Sequence, residues 1–283
     1  MEKFRFVSIV NVGEMRAVCC RARSTRIGKW RALMSKKRIG HLFAAGLAAS
    51  VFAGGASANL LNEFEPNPAG GDPSDTTFEL LGTPGATFDL WITSIENDPG
   101  SSLGVVDRAA NVAGTYDSNG LAVVTTPDLE NPSFTVILSS DFTGSIGDDL
   151  DVGDTGTLDT SSLGTVFDAV GVSDTAGDDS LLYGASLGGT DILFNGQFEP
   201  LLVFRDSNTL EWYQTVTVNF GAPDERIGAF AADGGPEIAT SAFTPDASST
   251  TFGAVNPTIP EPASLVLVGL GGIAMLTRRR SQA

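Results

Sequence analysis

Residues 59–240 predict an all-β sandwich, and three observations carry that prediction. Short runs rich in Val, Ile, Thr and Phe recur along the chain, punctuated by Gly, Pro, Asn and Asp. One of them, TVTVNF at 215–220, alternates apolar and polar residues as a half-buried strand does. Outside the two end segments, no window longer than about a dozen residues carries a 3.6-residue apolar period. Regular strand spacing with turn signals favours a sandwich or barrel. The expected strands are 76–81, 87–95, 120–126, 133–139, 165–172, 191–194, 201–204, 212–220 and 227–232. Phe78, Leu80, Phe88, Leu90, Phe134, Val136, Phe167, Val203, Phe204, Trp212 and Val218 should fill the core.

The flanking segments follow other rules. The run HLFAAGLAASVFAGGASA at 41–58 is an apolar stretch closing on Ala56-Ser57-Ala58, the small-x-small pattern cut by signal peptidase before Asn59. Lys36, Lys37 and Arg38 supply its positive start, so 34–58 reads as a signal peptide with a signal helix. Translation from Met34 would give an ordinary secretory start. Residues 1–33 therefore read as a mis-assigned extension, with a long basic leader as the alternative. Residues 241–258, rich in Ser, Thr, Ala and Pro, read as a linker.

Charge is partitioned as sharply as hydropathy. Between residues 59 and 260 only Arg108, Arg205 and Arg226 are basic, against 31 acidic residues, a formal charge of −28. Such a surface disfavours nucleic acid. Cys19, Cys20 and His41 all lie outside this region, which also has no lysine. A disulfide framework, a Ser-His-Asp triad, a thiol nucleophile, a Schiff base and a typical zinc site are thereby excluded from it. A carboxylate pair is the catalytic constellation that the composition leaves. With so many carboxylates, proximity of two says little.

At the other end, Pro260-Glu261-Pro262 precedes an uncharged apolar run from Ala263 to Thr277, then Arg278, Arg279 and Arg280. The prolines keep the chain extended. The 15 apolar residues would span about 22 Å as a helix, short of the ~30 Å hydrocarbon layer, which suggests a transient or tilted transmembrane anchor. The arginines would hold its end on the cytoplasmic side. This order resembles the PEP-CTERM sorting signal of Gram-negative bacteria, here 259–283. The resemblance implies processing by an exosortase, transient anchoring in the inner membrane, and delivery through the periplasm or cell envelope to the cell surface or beyond.

A second resemblance lies in the domain itself. Its opening, LLNEFEPNPAGGD at 60–72 followed by FELL at 78–81, is similar to the start of bacterial lamin-tail domains. Trp212 and TFGAVN at 251–256 echo that family's closing pattern, although its proline is replaced. DLENPSFTV at 128–136, FDAVG at 167–171 and LVFRD at 202–206 resemble secreted relatives. The resemblance implies an immunoglobulin-like β-sandwich serving as an adhesion or accessory module. Asn62, Glu63 and Glu79 belong to the signature. Their simplest role is to satisfy backbone donors at a strand's edge.

The acidic stretch at 147–159 is the best metal candidate. Calcium loops alternate carboxylates around a glycine turn, and Asp149, Asp151 and Asp159, with Asp154 beside them, stand near such positions. Gly153 and Thr155 occupy two positions where carboxylates are expected, so a solvated acidic loop is the simpler reading. Asp174, Asp178 and Asp179 read as a turn. Trp91, Trp212 and Tyr213 could form a sugar-stacking platform, but aromatics in a small sandwich are more often core. Arg205 reads as a buried or bridging ion-pair partner. Residues and resemblances together predict a non-enzymatic exported surface or matrix protein without a required cofactor. The alternative is a carbohydrate-binding or hydrolytic domain acting on exopolysaccharide.

Overall fold

The structure, a computed structural model, describes residues 59–68, 73–99, 103–129, 133–196, 200–217 and 226–260. The predicted signal helix and C-terminal transmembrane helix lie outside these residues. So do Ala56, Ala58, Glu261, Pro262, Arg278, Arg279, Arg280 and Val218.

Among the described residues, eleven strands form two sheets: β1 Leu60–Phe64, β2 Asp75–Leu81, β3 Thr87–Glu96, β4 Val106–Thr115, β5 Leu121–Pro127, β6 Phe134–Ser139, β7 Val166–Val172, β8 Thr190–Ile192, β9 Leu202–Arg205, β10 Trp212–Thr217 and β11 Arg226–Ala231. One sheet runs β11-β10-β9-β1-β2-β5, the other β4-β3-β6-β7-β8. All pairings are antiparallel except β7 with β8. Helix among the described residues is confined to three 3₁₀ turns, Thr160–Ser162, Ala185–Leu187 and Thr240–Ala242. The described residues form an all-β sandwich.

Period-2 geometry sorts the side chains. Along β6, Phe134, Val136 and Leu138 enter the core between the sheets, while Ile137 joins a second cluster on the opposite face. Along β9, Val203 faces the central core and Leu202 and Phe204 face away from it. These outward faces are not wet. Phe142, Leu150, Leu158 and Leu163, from the loop between β6 and β7, cover the β6–β7 sheet. Phe243 and Ala247, from the chain beyond β11, cover β9 and β10. The central strands β6 and β9 are thus buried on both faces, which explains continuous apolar runs such as FTVILS in β6, every residue of which is buried.

Three expectations need correction. Residues 241–258 are no linker. Phe243, only 3 % exposed, packs edge-on against Phe204 (5.6 Å) and Tyr213 (5.2 Å), and Thr244 and Thr258 pair across the segment. A composition of small polar residues hid one aromatic anchor and a ladder of backbone bonds. Phe167 is only partly buried, whereas the other predicted core residues that are described are buried. Asn62, Glu63 and Glu79 sit within β1 and β2 and not at a strand's edge, although Glu63 and Glu79 do satisfy backbone donors, those of Thr251 and Gly253.

Candidate functional site

The outer face of β1 and β2 carries two acidic residues opposite one another. Glu63 pairs in register with Glu79, and a bulge between Leu61 and Glu63 lets both Leu61 and Phe64 reach the core while Glu63 turns outward. Two opposed carboxylates on an apolar sheet repel each other unless donors reach them, and the donors come from the far end of the domain. Thr251 donates to Glu63 from its backbone N–H and its hydroxyl, both at 2.7 Å. Gly253 N–H donates to Glu79 at 2.6 Å, and Asn62 Nδ2 donates to the other Glu79 oxygen at 2.7 Å. Asn256 Nδ2 then donates to the carbonyls of Asn62 and Arg205, both at 3.0 Å, stitching β1 to β9. The opening and closing residues of the domain therefore form one clasp. Burial pushes the Glu63 carboxyl up to about 7 despite the bonds from Thr251, with the charges of Glu79 and Glu65 adding to the rise. Burial likewise raises Glu79, against the bonds from Asn62 and Gly253.

Beside the clasp stands Asp206, just past β9. One of its carboxylate oxygens caps the next turn, accepting from Asn208 N–H (2.8 Å) and Thr209 N–H (3.0 Å). The same oxygen accepts from the Thr258 hydroxyl at 2.8 Å, and the other accepts from Ile259 N–H at 3.0 Å. Burial pushes this carboxyl up, but the four bonds outweigh it and hold it low. The turn was legible, since Asp followed by Ser, Asn and Thr is an Asx-turn signal. Its second duty, toward a residue 52 positions away, left no local signal.

Across the sandwich, Arg205 behaves as expected. Its Nη2 donates to Asp168 on β7 at 2.7 Å, its Nε to the Leu61 carbonyl at 2.9 Å, and its guanidinium lies 4.5 Å from the centre of the Trp212 ring. Burial raises the Asp168 carboxyl, and Arg205 opposes the rise. The pair ties one sheet to the other.

The acidic loop sets Asp149 beside Asp151, with Asp149 exposed and Asp151 turned inward. Asp151 is buried and accepts from Thr155 N–H and hydroxyl, Gly156 N–H and the Tyr183 hydroxyl, between 2.6 and 2.8 Å. Asp149 caps the Asp151 N–H, and Asp159 caps the 3₁₀ turn through Ser161 N–H. Asp154 is exposed with φ 53 and does not join them. Among the described residues, no group of three or more His, Cys, Asp or Glu is placed to hold a metal ion. Trp212 and Tyr213 are buried and Trp91 leans on Phe142 at 5.8 Å, so these aromatics pack the domain.

The segment hanging from Asp206 is where a family model matches: residues 258–280 fit the PEP-CTERM protein-sorting motif. The chain carries a PEP-CTERM sorting motif. The motif indicates a protein exported to the cell envelope or surface and processed by an exosortase. No curated protein and no solved structure matches the chain. Thr258, Ile259 and Pro260 are the part of the motif that the structure describes.

Proposed function

We propose that the mature protein is a non-enzymatic surface or matrix component, an adhesion or structural module on a lamin-tail-like, immunoglobulin-like sandwich. The observation that carries this reading is the use of the buried carboxylates. Glu63, Glu79, Asp151 and Asp168 each hold backbone or side-chain donors that close the fold. A hydrolase needs carboxylates that face substrate, held apart by a geometry that admits it. The lamin-tail likeness gains support from the clasp, since Asn62, Glu63 and Glu79 of the opening signature meet the closing TFGAVN. A signal peptide ending at Ala58 is consistent with β1 beginning at Leu60, one residue past the expected cut, with Asn59 already accepting from the Tyr116 hydroxyl at 2.9 Å.

Fractionation of the native host, with intact-mass measurement, tests localisation and both termini. The expected mature chain begins at Asn59 and lacks the Arg278–Arg280 cluster. A full-length chain ending in Ala283 at the cell surface would contradict this. Incubating the purified domain with host exopolysaccharide tests the activity. Retention without release of shorter glycans, or no interaction, fits the module; turnover establishes the hydrolytic alternative.

A further inference from the structure

The motif match begins at Thr258, yet Thr258 and Ile259 belong to the folded domain. Thr258 N–H donates to the Thr244 carbonyl at 3.1 Å, and Thr244 N–H returns a bond to the Thr258 carbonyl at 2.8 Å. The Thr258 hydroxyl donates to Asp206 and accepts from Asn208 Nδ2 at 3.0 Å. Ile259 N–H is held by Asp206, and its side chain packs against the cluster around Phe204 and Phe243. Every hydrogen-bonding group of Thr258 is therefore occupied from within the domain.

An enzyme that reads an extended segment does so largely by pairing with its backbone. Pairing along the matched segment from Thr258 would need the groups that Thr244 and Asp206 already hold. We propose that Asp206 is a latch on the sorting motif: the folded domain keeps Thr258 and Ile259 docked, and exosortase receives the complete motif only when this contact opens. Processing of the folded protein is then governed by the opening equilibrium of the latch. Chains that reach the enzyme before the domain closes escape that control. This inference rests on the motif match and is independent of whether the module is adhesive or hydrolytic.

The test follows the full-length protein in its exosortase-bearing host, pulse-labelled, with the processed fraction read by mass spectrometry over time. Thr258→Val keeps the shape and the backbone bridge but removes the hydroxyl from Asp206 and Asn208. It should speed processing roughly tenfold, the weight of one hydrogen bond to a charged group in an opening equilibrium. Thr258→Ser restores the bond and should return the rate to that of the parent. Because Thr258 is itself in the motif, Asp206→Asn provides the independent arm. It lies outside the motif, keeps one oxygen for the turn, and sets an amide NH₂ against Ile259 N–H. It too should speed processing, and melting curves of each variant check that the domain remains folded. A lone defect in folding would not be cured by Thr258→Ser. Unchanged or slower processing in both Thr258→Val and Asp206→Asn overturns the latch.

Discussion

Glu63 shows how a single buried carboxyl can set the pH dependence of a domain. With its pKa lifted from 4.5 to about 7 by burial, it binds a proton more readily in the folded chain than in the unfolded one. Protonation is accommodated locally, since the Thr251 hydroxyl also lies 3.1 Å from Asn256 Oδ1 and has a second acceptor to turn to. The stability that such a group adds is complete below its unfolded pKa and is lost as pH rises through about 7. Glu79, raised by the same cause, acts in the same direction. Asp151 runs the other way. Burial raises it, but bonds from Thr155, Tyr183 and Gly156 outweigh that and hold it at about 2, so its contribution is lost as pH falls from 3.8 toward that value. Thermal melts across pH should therefore peak at about pH 5 and decline toward both pH ~8 and pH ~3. In Glu63→Gln the decline between pH ~5 and ~8 should flatten, and an unaltered slope would remove Glu63 from the account. Asp151→Ala leaves the hydroxyls of Tyr183 and Thr155 and two N–H groups without this acceptor, and should cost about 3 kcal/mol in chemical denaturation at neutral pH.

Among the elements, the covering segments matter as much as the strands. Removing the Phe243 ring opens the face of β9 and β10, so Phe243→Ala should destabilise the domain by about 3 kcal/mol, measured by denaturant midpoint. A loss below about 0.5 kcal/mol would mean that the segment merely rests on the sheet. Gly189 tests a different contact: a methyl there would collide with the Ala169 carbonyl on β7, so Gly189→Ala should lower the melting temperature by several degrees. The strands themselves were mostly legible, because β2, β3, β6 and β7 carry dense Val, Ile, Thr and Phe. β4 was not: VDRAANVAGT is a partly solvated edge whose apolar residues are only Val and Ala, recognisable only through its register with β3. β1 was legible as a signature and not as a strand, since its bulge breaks the alternation. The clasp and the Asp206 contact were illegible because their partners are far apart in sequence. No periodicity encodes a contact between residue 63 and residue 251.

At the scale of the whole molecule, the charge of −28 over residues 59–260 sets colloidal behaviour more than fold. With Asp151 committed to internal donors and Asp149 and Asp159 capping turns, divalent ions have no prepared cage among the described residues. Calcium should raise the melting temperature no more than sodium at matched ionic strength. A calcium-specific rise abolished by Asp151→Ala would show that the loop rearranges to bind. The clasp has a further consequence, for timing. The first strand closes against residues that follow it by 144 to 194 positions, so contact order is high exactly where sheet β11-β10-β9-β1-β2-β5 must be completed. A chain leaving the cytoplasm N-terminus first would present β1 early and keep it waiting for β9 and Asn256. Such a chain would stay threadable for most of its passage. Asn256, which closes β1 onto β9, stands only two residues before the matched motif, so the last contacts of the domain and the start of its sorting motif emerge together.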